Sequence, residues 1–370
     1  MSHVVILNWR DAWHPEGGGS ETYLRQVATR LAAAGHRVTT LTARYPGSAK
    51  DEVVEGVRYV RVGKHMTVYL WAALYLATRR LGHVDHVIEV QNGMPFLARL
   101  FSRAKVTVLV HHVHREQWPV VGPVLARIGW FMESRVAPFV NRHNDYVAVS
   151  QVTASELVAL GVDENRIRIA YNGVPPVPEF AAPPRDSHPS MVALSRLVPH
   201  KQIEHAVRTL DSLRDEIPDA TLTVMGDGWW ADELRQMVAD LGLQDRVRLL
   251  GFVDDTTKFV ELSRAWVHVM PSLKEGWGLS IIEAAHVGVP SVAYSSAGGV
   301  RESILDGVTG LLASDQDDFT HAVRRLLTDD ALRESMGTKA QLRSEQFTWE
   351  ATTAVIEGCL TPSTTPATVA

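Results

Sequence analysis

The segment KEGWGLSIIEAAHVGVP, residues 274–290, sets two carboxylates, Glu275 and Glu283, eight positions apart. They flank a Gly276-Trp277-Gly278 turn and the first turn of an apolar helix. Asp and Glu are almost never buried without a partner, so the pair points to a ligand rather than to a core. A ligand with hydroxyls at both ends and negative charge between them fits this spacing. Cations for that charge lie upstream, in ALSRLVPHKQIEHAV, where Arg196 and Lys201 leave an apolar strand and precede a helix. Two cations at a strand's carboxyl end, beside a helix N-terminus, suit a diphosphate: Arg as a planar fork, Lys as a point charge. Gly226 and Gly228 in VMGDGWW mark a second strand-to-helix turn, and Gly251 and Phe252 in LLGFV offer backbone groups to a nucleobase.

The N-terminal half carries a second set. In HPEGGGSETYLRQVATRLAAAGH a strand leads into Gly17, Gly18 and Gly19, with Ser20 as the expected helix cap and Gly35 as the stop. Consecutive glycines let N–H groups approach an oxygen-rich ligand, and a helix N-terminus favours negative charge; a merely flexible loop is the plain alternative. The run is neither Gly-x-Gly-x-x-Gly nor followed by Gly-Lys-Ser/Thr, which counts against NAD binding and ATP hydrolysis. VTVLVHHVHREQW holds His111, His112 and His114. Strand alternation puts His112 and His114 on one side and His111 on the other. No matching Asp/Glu constellation accompanies them, and no Asp-x-Asp stands at a strand end, so no metal site is expected. The acids of DQDDF, from Asp315, read as a helix cap and first-turn cluster.

Two domains must position these residues, because 370 residues exceed one ordinary core. An apolar content of 45% with 21% charged residues excludes a disordered or fibrous chain. One cysteine, Cys359, excludes an internal disulfide and suits a reducing compartment. No signal peptide or membrane-spanning run is visible. Net charge is −5, unevenly divided: residues 1–180 carry 20 Lys and Arg against 15 Asp and Glu, and residues 181–370 carry 17 against 27. A basic first domain suits an anionic surface or acceptor.

Short β-branched runs (HVVILNW, RVTTLTA, KVTVLVHH, DYVAVS, SMVALSRL, TLTVMGDG, RVRLLGFV, WVHVMPS, PSVAYSS) alternate with amphipathic segments at 21–34, 154–160, 203–214, 231–241 and 319–328. That alternation predicts parallel sheets covered by helices. It restarts near Met191 after the proline-rich NGVPPVPEFAAPPRDSHPS, which reads as a linker between two doubly wound domains, with sites at the strands' carboxyl ends in a cleft between them. The expected division is 1–180 and 181–345, with 346–360 crossing back to the first domain and a disordered tail at 361–370. Residues 64–81 and 118–143, aromatic and apolar with interspersed Lys and Arg, are expected to be buried helices; an acceptor pocket or a membrane-lying face is the alternative.

The order SRLVPHK, VMGDG, LGFV, PSLKEGWGLSIIEA, AGGVRESILDGVTGLL, with GGGSE, VAVSQVTASEL, YNGV and FTWEATT, resembles the retaining glycosyltransferases of family 4, which have the GT-B fold. The likeness covers nearly the whole chain. It implies that Arg196 and Lys201 bind the donor diphosphate, that Glu275 contacts the donor sugar and Glu283 the ribose, and that the turn Gly276-Trp277-Gly278 and the helix start at Leu279 supply N–H donors. Trp277 stands where phenylalanine is more usual. A histidine at the strand end, His111 in preference to His112, is implied to face the sugar. The implied reaction moves a hexose from a nucleoside-diphosphate sugar (UDP or GDP) to a small-molecule, glycan or lipid acceptor. It proceeds by same-face attack with no protein nucleophile, cofactor or metal, and no nucleic-acid partner is expected. The implied setting is cytoplasmic, with membrane contact through the N-terminal domain as several relatives use. Rival readings on this architecture are a sugar-nucleotide epimerase or phosphorylase and a non-catalytic nucleotide-sugar-binding protein. All four charged residues of the donor set are present, and no segment suggests a Schiff-base lysine.

Overall fold

The computed structural model describes residues 1–118, 122–174, 177–180 and 183–360. Two compact units divide the chain: Met1–Gly173 together with the segment from Trp349 on, and Val174–Thr348. The expected disordered tail, 361–370, lies outside the described residues, as does part of the proline-rich linker.

The first unit is built on an eight-stranded sheet with strands β1 (His3–Leu7), β2 (Arg37–Thr42), β3 (Asp51–Val54), β4 (Val57–Arg61), β5 (His86–Gln91), β6 (Lys105–Val110), β7 (Asp145–Ala148) and β8 (Ile167–Ile169). Their order is β3-β4-β2-β1-β5-β6-β7-β8, parallel except for the antiparallel β3–β4 hairpin. Every residue of β1 is buried, as expected for a parallel strand covered on both faces. Its helices are α1 (Gly19–Ala33), α2 (Val68–Ala77), α3 (Pro123–Phe131), α4 (Ala137–Val140) and α5 (Gln151–Ala159). A π-helical turn, Met132–Val136, joins α3 to α4 and places Glu133 wholly inside. There Glu133 accepts from His114 N at 3.1 Å and Trp118 Nε1 at 2.7 Å. The α5 cap is Ser150, whose Oγ accepts from Thr153 N.

The second unit has six parallel strands, β9 (Ser190–Leu194), β10 (Thr221–Met225), β11 (Val247–Gly251), β12 (Val267–Met270), β13 (Ser291–Tyr294) and β14 (Gly310–Ala313), ordered β11-β10-β9-β12-β13-β14. Helices α6 (Ile203–Ser212), α7 (Ala231–Asp240), α8 (Asp255–Arg264), α9 (Leu279–His286), α10 (Val300–Ser303), α11 (Gln316–Thr328) and α12 (Asp330–Ser344) cover it. On α6, Ile203, Ala206, Val207 and Leu210 recur at helical spacing and are all buried. Asp315 caps α11 as its sequence suggests, accepting from Asp318 N at 2.9 Å. The chain order reverses at β9, whose neighbours are β10 and β12. The β9–β12 ladder pairs Val267↔Met191 and His268↔Val192, and the switch point lies at the carboxyl ends of these two strands. A doubly wound sheet binds ligands at such a switch point.

The last helix, α13 (Trp349–Leu360), belongs to the first unit and packs on α1. Trp349 sets its ring edge-on to Tyr23 at 5.5 Å, Arg30 pairs with Glu350 at 2.9 Å, and Lys105 Nζ donates to Cys359 O at 2.8 Å.

The two apolar segments expected to be buried are corrected by the structure. In α2 only Val68, Ala72 and Leu76 are buried, while Leu70, Trp71 and Leu74 face outward. Across α3 and α4 the large side chains Val124, Leu125, Ile128, Phe131 and Phe139 are exposed. Small residues, Gly129 and Ala137, take the inner positions instead. Gly129 is obligatory there, since a Cβ would sit 2.2 Å from the Trp118 ring.

Candidate functional site

In the second unit the loops that follow β9 and β12 face each other across the switch point. Leu273 N donates to His200 O at 2.9 Å, tying one loop to the other. Lys201 then reaches Glu275, Nζ to Oε1, at 2.5 Å, with both side chains about one-seventh exposed. Arg196, on the same loop as Lys201, is exposed and its guanidinium makes no hydrogen bond or ion pair among the described residues. The two loops at the switch point therefore carry a paired cation and carboxylate, Lys201 and Glu275, and a second cation, Arg196, with no side-chain partner among the described residues.

The turn behind Glu275 is held by the AGGV segment. Glu275 N donates to Ala297 O at 2.9 Å and Gly299 N donates to Glu275 O at 3.0 Å. The approach is backbone on backbone, for a Cβ at Gly299 would lie 2.0 Å from Gly276 O. Gly278, at φ +85°, takes the left-handed conformation that starts α9 at Leu279. Trp277 turns its indole inward, 2% exposed, against Phe347 at 4.9 Å. What this turn presents outward is therefore backbone, not the tryptophan ring. Gly226 and Gly228 likewise serve packing: Cβ atoms there would lie 1.9 Å from Ser195 O and 2.1 Å from Leu197 O. They let the β10 loop lie flat on the loop that carries Arg196. Phe252, next to Gly251 at φ +69°, is 85% exposed at the end of β11.

Glu283, one turn into α9, is buried, and burial raises its carboxyl above the ordinary range. Lys258 of α8 opposes that shift, with Nζ 2.8 Å from Glu283 Oε1. Nothing in the sequence singled out Lys258: it lies seventeen residues before Glu275, in an ordinary amphipathic helix.

The first unit holds Gly18, Gly19 and His111. The α1 cap is Gly18 rather than the expected Ser20, which lies inside the helix. Gly18 N donates to Glu21 Oε2 at 2.8 Å, and buried Glu21 sits 3.7 Å from Arg10 Nε. The helix start thus already has a carboxylate of its own. His111 follows β6, is 6% exposed, and meets Tyr23 edge-on at 5.1 Å. Burial, then the charge of His114, pulls its imidazole down to about 3, so it is neutral at pH 7. Its Nε2 is buried with no hydrogen-bond partner among the described residues. His112 is half-buried and accepts from Gln117 Nε2 at 2.9 Å, and its ring lies 4.1 Å from that of His114. Among the described residues no three His, Cys, Asp or Glu side chains cluster so as to hold a metal ion.

Two Rossmann-like parallel sheets are the two halves of the GT-B glycosyltransferase fold. Solved structures match over almost the full length. Sucrose-phosphate synthase of Thermosynechococcus elongatus superposes with a TM-score of 0.79 at 20% identity, covering 97% of this chain and 98% of that one. Anabaena HepE, in complex with UDP and glucose, gives 0.75 at 19% identity, covering 97% and 99%. Residues 17–177 match the family described as Glycosyltransferase Family 4, and residues 179–343 match Glycosyl transferases group 1. A GDP-mannose-dependent alpha-(1-6)-phosphatidylinositol monomannoside mannosyltransferase of Mycolicibacterium smegmatis is 30% identical over 87% of this chain and 89% of its own length. A glycogen synthase of Mycobacterium tuberculosis is 28% identical over 90% and 88%. The chain belongs to glycosyltransferase family 4.

Proposed function

We propose that this glycosyltransferase moves a hexose from a nucleoside-diphosphate sugar to an acceptor hydroxyl, with retention of anomeric configuration and without cofactor or metal. The observation that carries the reading is the Lys201–Glu275 pair, 2.5 Å apart, with Arg196 on the same loop as Lys201 and Glu275 in the turn that leads into α9. Arg196, Lys201 and the N–H groups of Leu279 and Ser280 face the diphosphate, and Glu275 takes the sugar hydroxyls. Glu283 takes the ribose, and the backbone around Phe252 takes the base. As the sugar–phosphate bond breaks, charge grows on the leaving oxygen, where preorganised cations and N–H dipoles are most effective. Attack on the same face lets that oxygen collect the acceptor's proton.

The relatives supply the first donors to test, since one is named as GDP-mannose-dependent and another is solved with UDP and glucose. The protein incubated with GDP-mannose or UDP-glucose releases nucleotide slowly, and a lipid or glycan acceptor accelerates the release in excess EDTA. Complete loss in EDTA, restored by Mg²⁺ or Mn²⁺, overturns the metal-free reading. A product of inverted anomeric configuration overturns retention.

Lipid contact is part of the same proposal. Ile128, Phe131 and Phe139 are each more than half exposed, with exposed Arg127, Arg135 and Arg142 among them. Apolar side chains interleaved with Arg suit the interface of an anionic bilayer. Among the described residues no helix is long and apolar enough to cross a membrane. The protein floats with vesicles containing phosphatidylglycerol, and Ile128→Ser with Phe131→Ser abolishes flotation; unchanged flotation of the double variant removes the membrane face.

A further inference from the structure

We propose that Lys258 is a positioning residue for the donor's ribose, holding Glu283 by one oxygen so that the other is presented to the ribose hydroxyls. The inference rests on the donor-binding reading of Glu283.

Three observations converge on this role. Lys258 Nζ lies 2.8 Å from Glu283 Oε1 and 2.7 Å from Asp255 Oδ1, and its side chain is only 12% exposed. A strongly hydrated ammonium is costly to bury, so a lysine is placed there only where it is paired. Glu283 is itself 6% exposed at the side chain, and among the described residues Lys258 is the one cation paired with it. An uncompensated carboxylate at this depth would take up a proton and lose an acceptor oxygen. Finally, only Oε1 is engaged: Glu283 Oε2 makes no hydrogen bond among the described residues. A carboxylate held by one oxygen and open at the other is a fixed acceptor, not a buried structural pair closed on itself.

The helix that carries Lys258 is anchored for the task. Asp254 caps α8, accepting from Thr257 N at 2.7 Å, and α8 packs directly on α9. Asp255, in the first turn, shares the ammonium and limits its swing. The Phe259 ring lies 4.9 Å from Nζ and walls off one side. Side-chain length is therefore matched to one geometry, Nζ to Oε1 across two packed helices.

A ribose-dependent comparison tests the role, because a lysine that only stabilises the fold is blind to one hydroxyl. Binding of GDP and UDP is measured by calorimetry for wild type, Lys258→Met, Lys258→Arg and Glu283→Gln, each with the ribonucleotide and its 2′-deoxy and 3′-deoxy forms. Lys258→Met is expected to weaken the ribonucleotide about 10- to 100-fold, the scale of one charge-assisted hydrogen bond. It weakens at least one of the deoxy forms about threefold or less, and Lys258→Arg recovers part of the loss. In turnover the variant raises the donor KM and leaves kcat nearly unchanged. Glu283→Gln reports on the underlying reading: if it penalises ribo and deoxy forms equally, Glu283 does not hold the ribose. If Glu283→Gln discriminates and Lys258→Met does not, the positioning role of Lys258 is overturned while the donor site stands. Should Lys258→Met fail to fold, the Lys258→Met, Glu283→Gln double variant, which removes both buried charges, replaces it. That double variant is expected to lose no more ribose discrimination than Glu283→Gln alone, and a clearly additive loss overturns the coupling.

Discussion

Lys201 and Glu275 share one ion pair, so their variants should diverge rather than agree. Glu275→Gln releases Lys201 to the diphosphate. Free nucleoside diphosphate should then bind about threefold tighter, the scale of a lost competing ion pair, while the intact sugar nucleotide binds more weakly and kcat falls. Lys201→Ala should lower turnover on the order of 10²-fold or more, and calorimetry on both ligands separates the two cases. If Glu275→Gln weakens both ligands equally, the carboxylate is not at the sugar end. Glu89 belongs at the same scale. Wholly buried in β5, it is met among the described residues by two neutral donors, Ala98 N at 2.6 Å and Asn141 Nδ2 at 2.9 Å. Burial, partly offset by these bonds, pushes its carboxyl up to about 7. A folded-state value above the unfolded one means the native protein holds the proton more tightly. The stability contribution is thus full below about pH 4.5 and lost as pH rises towards 7. Glu89→Gln should flatten that decline, about 3 kcal/mol across the window, in thermal unfolding recorded at several pH values; parallel curves for variant and wild type would contradict it. Arg196, Lys201, Glu275 and Glu283 stand out as candidates in the sequence by type and spacing. Lys258 does not, because its meaning depends on a helix-to-helix distance that no local pattern encodes.

Elements decide how those side chains are aimed. The turn at Glu275 is positioned by Gly298 and Gly299, and a Cβ at Gly299 would meet Gly276 O at 2.0 Å. Gly299→Ala is therefore expected to shift the turn and cut kcat at least tenfold while the sheet folds normally, since overpacking costs about 1–3 kcal/mol. Unchanged kinetics in a folded variant would show that the turn tolerates displacement. Element prediction worked where periodicity was clean, as in β1, β9 and α6. It missed β5, the strand beside β1, because His86, Glu89 and Gln91 break the apolar run although all three are buried. Each polar group is affordable there only through tertiary partners, such as Thr107 for His86 at 2.9 Å. It misjudged α2 and α3 in the opposite sense. Both are apolar nearly all round, and such composition reads as burial although one face of each is open.

At the scale of the whole chain, the first unit is closed by its last helix. Trp349 is 1% exposed and packs edge-on to Tyr23. Trp349→Ala should destabilise that unit by about 3–5 kcal/mol and leave Val174–Thr348 protected in hydrogen exchange; equal loss of protection in both units would show that they unfold as one. The two-sheet α/β class, the restart of alternation near Met191, the capping of α11 by Asp315 and the candidate residues on the loops after β9 and β12 followed from the sequence alone. They are carried by local chemistry: periodicity, proline, short polar caps, and charges that have no place in a core. Tertiary structure alone decided the Lys201–Glu275 and Lys258–Glu283 pairs, the inward turn of Trp277, the close backbone packing behind Gly226, Gly228 and Gly299, and the burial of His111. Each of these depends on which strands and helices lie side by side, and that arrangement is set by packing over long chain separations rather than by any neighbouring residue.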